Sequence, residues 1–194
     1  MRPKLVIMVK EPRPGRVKTR LGRDLGLTAS AWWFRHQTRA LLRRIEDPRW
    51  DTLLAVSPDI EGMNSRIWPA HLPRVAQGRG DLGDRMARLL RGLPIGPVCI
   101  IGADIPGITR ARINEAFDAL GRSEAVFGPA PDGGYWLIGM KRVKPPAPDI
   151  LQNVRWSSEH ALSDSARSLG DVSFAYVATL QDVDTMEDLR RVQG

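Results

Sequence analysis

The side chains best suited to chemistry are a run of cations near the start of the chain and several aspartates far from it in number. Between Lys10 and Arg23 stand Lys10, Arg13, Arg16, Lys18, Arg20 and Arg23 against a single acid, Glu11. Pro12, Pro14 and Gly15 keep the middle of this stretch from coiling, because proline lacks an N–H donor and glycine tolerates positive φ. The stretch follows LVIMV (5–9), an apolar run with the character of a buried strand. A cationic loop leaving the carboxyl end of a first strand is where open α/β sheets bind phosphorylated ligands. Lys18 or Arg20 beside a phosphate oxygen would gain about 4 kcal/mol of Coulomb energy per pair at an effective dielectric of 20, before desolvation. That suits a polyphosphate whose leaving group gains charge during reaction. Charge alone is better met by a solvated basic loop, so the acids decide.

Asp104 ends the apolar run PVCIIGAD (97–104), where a carboxylate would be held rigidly at the ligand-binding edge and a hard cation such as magnesium would be its partner. Helix capping is its alternative role, weakened by the intervening Ile105-Pro106. Asp182 and Asp184 precede the last helical segment; capping of that helix by Asp184 and metal binding are equally open. Asp132 sits beside Gly133 and Gly134 and, standing alone, would be a turn former. Other motifs fail. Gly15-Arg16-Val17-Lys18-Thr19 has Val17 where a P-loop needs glycine. There is no G-x-S-x-G, and His36, His71 and His160 have no zinc spacing with Cys99.

The elements that must position these groups alternate. LVIMV (5–9), TLLAVS (52–57), PRVAQ (73–77), PVCIIGAD (97–104), AVFGPA (125–130), YWLIGM (135–140) and SFAYV (173–177) are expected strands. Helices are expected from Thr28, as cap, to Ile45; after a cap at Asp84, with Met86, Leu89 and Leu90 on one side; from Thr109 to Leu120; around Ser158–Leu169; and at the end, where Thr185 and Asp188 have capping-box spacing. Residues 60–72 have no clear pattern, and Trp68-Pro69 argues against a continuous helix there. Strands alternating with helices mean an α/β chain with a mostly parallel sheet. The continuous apolar run 98–101 belongs at the sheet centre.

At 194 residues, one domain covering 1–194 is expected. No apolar run approaches a membrane span, and Lys10 interrupts any secretory leader. The one cysteine, Cys99, lies in a core run, which excludes a disulfide framework and points to a cytoplasmic location. A net charge of +7 raises the prospect of nucleic acid as a partner. Against it, the densest cations sit in a Pro/Gly-broken loop and the remaining arginines are interleaved with acids.

VKEPRPGRVKTRL, GDLGDRM (80–86), IGADIPGIT (101–109), GPAPDGGYWLIG (128–139), RWSS (155–158) and DVDTMEDL (182–189) occur in that order across nearly the whole chain. Together they resemble the small GT-A-like transferases known as radical-SAM/selenodomain-associated or arsenosugar-type glycosyltransferases. More distantly, they are similar to cofactor guanylyltransferases. The resemblance implies a three-layer α/β/α, Rossmann-like nucleotide-diphospho-sugar transferase fold of GT-A type. It implies that Lys10, Gly15, Lys18 and Arg20 wrap the nucleotide phosphates, that Gly80, Leu82 and Arg85 lie near the nucleotide, and that Asp104 binds the metal with Asp184, or Asp182, as second ligand. It places Asp132, Gly133, Gly134, Tyr135 and Trp156 on the acceptor side. Two departures stand out: the metal position offers Gly102-Ala103-Asp104 rather than Asp-x-Asp, and Ser163-Asp164-Ser165 replaces a threonine after RWSS.

The expectation is a transferase dependent on Mg2+ or Mn2+. It would act on a nucleoside triphosphate or nucleotide sugar and a small acceptor, with Lys18, Arg20, Asp104 and Asp132 as catalytic groups. Nucleotidyl transfer is preferred for its lone acid and cation-dense loop, with glycosyl transfer from a nucleotide sugar as the alternative. A basic nucleic-acid-binding or non-catalytic nucleotide-binding module is the rival of another class. The acceptor, the base preference and whether the chain forms a homodimer stay open.

Overall fold

A computed structural model describes residues 2–193. All seven expected strands form: β1 (Lys4–Lys10), β2 (Asp51–Ser57), β3 (Arg74–Ala76), β4 (Val98–Gly102), β5 (Ala125–Pro129), β6 (Tyr135–Met140) and β7 (Phe174–Tyr176). They make one sheet in the order β3-β2-β1-β4-β6-β5-β7, parallel except for β6, which runs against both its neighbours. Alternate residues of each strand face opposite sides, and both sides are covered. Leu5, Ile7 and Val9 of β1 join one core with Phe34, Leu41, Ile113 and Leu120, carried by helices α2 (Leu27–Arg44) and α5 (Arg110–Arg122). Val6 joins the other with Met86, Leu89 and Leu90 of α4 (Leu82–Gly92), together with Ile150 and Leu151. The result is a three-layer α/β/α sandwich.

Strand order reverses between β1 and β4, which are paired Lys4 to Val98 through Met8 to Gly102. At such a reversal, the loops leaving the two strands diverge to opposite sides and open a crevice. The cationic loop leaves β1 here and Asp104 leaves β4. Because β6 is antiparallel and pairs Leu137 with Ile101, its first residue, Tyr135, lies at the same edge. The β5–β6 turn carrying Asp132 therefore belongs to that edge too.

Several helix ends differ from expectation. α2 begins at Leu27 with Gly26 at its cap, so Thr28 lies inside the helix. Asp81, not Asp84, caps α4: Asp84 N–H donates to Asp81 Oδ1 at 2.9 Å, and Asp81 N–H to Asp84 Oδ2 at 3.0 Å. The reciprocal pair wins because it satisfies two orphan donors rather than one. It also requires Gly80, at φ +103°, since a side chain there would collide with Asp84. The helix expected from Ser158 is α6 (Ala161–Ser168), because Ser158 instead accepts from His160 N–H in a preceding turn. Two one-turn helices, α1 (Leu21–Leu25) and α3 (Asp59–Met63), are too short for periodicity to reveal. The last helix, α7 (Met186–Gln193), has the expected box: Asp188 N–H donates to Thr185 Oγ1, and Thr185 N–H to Asp188 Oδ2.

Thr109 caps α5 by accepting from Arg112 N–H at 3.3 Å. Thr109→Ala is expected to cost about 1 kcal/mol of stability, read as a lower urea midpoint with an unchanged slope.

Candidate functional site

Val17 is buried and roots the cationic loop in the core beneath α2. The next residue, Lys18, takes a left-handed backbone (φ +46°) and carries its side chain into the crevice, where it is only 5% exposed. Its Nζ lies 2.7 Å from Asp104 Oδ2, 2.6 Å from Asp184 Oδ1 and 3.6 Å from Asp182 Oδ2. Arg20 Nη1, at the solvent side, reaches Asp184 Oδ2 at 3.2 Å.

A small apolar cluster brings these distant segments together. Leu21, directly after the loop, is fully buried against Val183 and Leu189. Val183 stands between Asp182 and Asp184; with the valine turned into the cluster, both acids are left on the crevice side. The Asp-Val-Asp sequence is thus one apolar anchor with a carboxylate on each flank. Asp184 does not cap α7, since Thr185 takes that position and Asp184 faces Lys18.

The charges are unequal. Burial works against the Lys18 ammonium, but Asp104 and Asp184 outweigh it and raise its pKa. Burial likewise opposes ionisation of Asp184, yet Lys18, with help from Arg20, holds its carboxyl below the ordinary value. Asp182 lacks so close a partner. Burial, together with repulsion from Asp184, Asp104 and Asp132, pushes it up to about 6 against the pull of Lys18. One oxygen from each of Asp104, Asp182 and Asp184 falls within 4.8 Å of the others. Three hard oxygen donors at this spacing suit Mg2+ or Mn2+.

Two cavities meet at Asp104. The larger, about 640 Å³, is lined by the cations Lys10, Arg16, Lys18, Arg20 and Arg85 and by Gly80 and Leu82. The smaller, about 210 Å³, is lined by Asp132, Gly134, Tyr135 and Trp156, together with Ser157 and Asp182. Both share Leu82, Gly102, Asp104, Tyr135 and Trp136. Of the residues expected on the phosphate and acceptor sides, Leu82 and Tyr135 line both spaces, two line neither, and the rest fall in one or the other. Gly15 lines neither cavity; it serves the loop through its positive φ of 76°. Gly133 also lines neither, but its bare Cα lets the 132–134 turn press against the Glu159 backbone. Arg13 turns away to Glu61 at 3.2 Å, and Arg16 is shared between Glu61 and the cavity wall.

Some positioning residues escaped sequence reasoning. Gln77, buried after β3, donates to Val9 and Ala55 carbonyls and accepts from Arg85 Nη1 at 3.4 Å, tying the cavity rim to two strands. Nothing distinguishes this glutamine locally. Arg155 of RWSS makes a two-pronged pair with Asp164 of α6, at 2.8 and 2.9 Å, which pins the segment bearing Trp156 and Ser157. Bonding to Arg155 holds the Asp164 carboxyl far below the ordinary range. A depressed carboxyl stabilises the fold above its unfolded pKa, and that contribution fades as pH falls toward the folded one. Asp164→Asn is accordingly expected to lower the urea midpoint at pH 6–7, with the gap from wild type narrowing steadily on acidification below about pH 4. A gap independent of pH would show that the charge of Asp164 contributes nothing.

No curated protein matches this chain. Among solved structures, it is similar to one from Desulfovibrio desulfuricans G20 provisionally named a nucleotide-diphospho-sugar transferase. The two are 28% identical, the match covers 99% of this chain and 87% of that one, and the TM-score is 0.85. At 12% identity and TM-score 0.60 it shares its fold with 4-diphosphocytidyl-2C-methyl-D-erythritol synthase from Anaerococcus prevotii DSM 20548, over 100% and 99% of the two chains. It shares the fold likewise, at 15% identity and TM-score 0.59, with the manganese complex of Rv0371c from Mycobacterium tuberculosis H37Rv, over 99% and 98%. The fold is that of the nucleotide-diphospho-sugar transferases, and residues 40–158 match the family described as uncharacterized protein conserved in bacteria (DUF2064), to which this chain belongs.

Proposed function

We propose that this chain is a divalent-cation-dependent transferase that takes a nucleoside triphosphate and moves its nucleotidyl group to a small acceptor. The carrying observation is that a cavity walled by five cationic side chains opens onto the Asp104–Asp182–Asp184 cluster, with Lys18 at the junction. A triphosphate is the ligand whose charge best matches Lys10, Arg16, Lys18, Arg20 and Arg85 together. Asp104, Asp182 and Asp184 would hold Mg2+ or Mn2+, which when bound draws charge from phosphate oxygens; the manganese complex of a fold relative fits this. A phosphate entering the cavity offers the Lys18 ammonium anionic oxygens in exchange for carboxylates. Lys18 and Arg20 then neutralise the pyrophosphate as the bond to it breaks.

A second reading, glycosyl transfer from a nucleotide sugar, is favoured by the name of the 28%-identical relative. Nucleic-acid binding fits less well, because these cations wall a cavity of about 640 Å³ rather than a face that a strand could track.

With Mg2+ present, a bound nucleoside triphosphate should stabilise the fold by about 2.7 kcal/mol at a hundredfold excess over its dissociation constant. This is measured by thermal unfolding. Asp104→Ala should lose the metal-dependent part of that gain while keeping its far-UV spectrum; full retention would remove Asp104 from the site. A response to nucleotide sugars alone would establish the glycosyl reading instead.

A further inference from the structure

The two cavities differ sharply in charge. Beside its five cations, the larger carries only Asp81, Asp104 and Asp184. The smaller has Asp104, Asp132 and Asp182 at its walls and, among the described residues, no Lys, Arg or His. Lys18 pairs with Asp104, Asp182 and Asp184, but not with Asp132. Asp132 has no ion pair among the described residues; its Oδ1 accepts from Gly134 N–H at 3.0 Å, and its Oδ2 has no protein hydrogen bond. A second anion placed here would meet an uncompensated carboxylate at close range, whereas a hydroxyl would donate to it.

The remaining walls are aliphatic at Leu82, Ile105, Ala130, Ala161 and Leu180, and otherwise aromatic and hydroxylic. Trp136 Nε1 is spent on the Ala178 carbonyl at 2.8 Å, and Tyr135 OH is paired with Ser165 Oγ at 3.1 Å, so both offer ring surface rather than polar atoms. Trp156 Nε1 is buried without a protein partner. At about 210 Å³ the space is smaller than the roughly 300–1,000 Å³ of drug-sized ligand sites.

We infer that the acceptor is a hydroxylated compound of about monosaccharide size that carries no anionic group, seated against Tyr135, Trp136 and Trp156 with its reacting hydroxyl on Asp132. This rests on the proposed reading of the larger cavity as the nucleotide site. The acceptor oxygen forms the new bond to the α-phosphorus, and the bond from that phosphorus to pyrophosphate breaks with its electron pair leaving on the pyrophosphate. The hydroxyl proton passes to the Asp132 carboxylate. If the donor is a nucleotide sugar, the same hydroxyl attacks the anomeric carbon and a nucleoside diphosphate departs, with the acceptor class unchanged.

Saturation-transfer NMR on the whole protein with Mg2+ and saturating nucleoside triphosphate tests this, using glucose, galactose, glucosamine and glycerol, each against its phosphate ester. The uncharged or amino compounds are expected to bind, with each ester weaker by about tenfold or more. Asp132→Lys is expected to abolish or invert that preference. Esters binding as tightly as their parents, or no binding by any of the four parents, would overturn the assignment. Thermal unfolding with the nucleotide alone runs alongside. Absence of a nucleotide shift removes the proposed function itself, whereas a normal shift with a preference for esters removes only the acceptor class.

Discussion

A lysine ammonium enclosed by three carboxylates is costly to build, because each charge gives up water that its partners must replace. Lys18 meets that requirement with contacts of 2.7 and 2.6 Å to Asp104 and Asp184, leaving Asp182 at 3.6 Å as the least compensated member. Even counting Arg20, the cluster holds more negative than positive charge. The excess is concentrated on Asp182, whose carboxyl is the one pushed upward. The arrangement can persist without collapsing or repelling because the backbone on each side is anchored elsewhere. Val17 sinks into one core, and Leu21 and Val183 bury each other in a second, smaller one. Apolar contacts thus hold in place an electrostatic arrangement that would not assemble by itself.

Sheet topology supplies the rest of the convergence. Lys18 and Asp104 are separated by 86 positions, yet the parallel pairing of β1 with β4 sets their strands side by side with both carboxyl ends at one edge. The reversal of strand order between them keeps their loops from filling the same space. Because β5 runs the same way as β4, the turn carrying Asp132 leaves β5 at that edge, and the antiparallel β6 starts there too, which brings Tyr135 and Trp136 into the same cavity wall as Asp104. The single departure from parallel order is therefore what adds the aromatic side chains of Tyr135 and Trp136 to the crevice.

Most of this architecture was legible in the sequence. Each strand announced itself as a short apolar run between turn formers, and the motif order pointed to the fold. Pairing geometry was less accessible: the four residues between AVFGPA and YWLIGM are too few for a parallel crossover, but nothing local shows that YWLIGM also pairs with β4 at the sheet centre. Helix starts slipped wherever two candidate caps competed, as at Asp81 and Asp84, since only three-dimensional reciprocity selects between them. In the site, the aspartates stood out by type and by position after strands. Gln77 and the Arg155–Asp164 pair did not, because their roles depend on partners brought near by folding alone. Asp182 and Asp184 were read as alternatives, and it is the burial of Val183 between them that leaves both in one cluster with Asp104.

The opposed linings of the two cavities bear on how a transfer could run in one direction of space. The cationic wall favours groups that carry or gain negative charge, and the acidic wall disfavours them. Asp104 lies on the boundary, shared by both. A phosphorus centre held there would have its leaving group drawn toward Lys18 and Arg20 and its incoming nucleophile approaching from the side of Asp132. That places entering and departing atoms on opposite sides of the reacting centre, as in-line displacement requires. The same asymmetry would keep a released polyphosphate from occupying the acceptor space. Under the proposed reading, charge distribution across one crevice, rather than any single residue, would separate the two substrates.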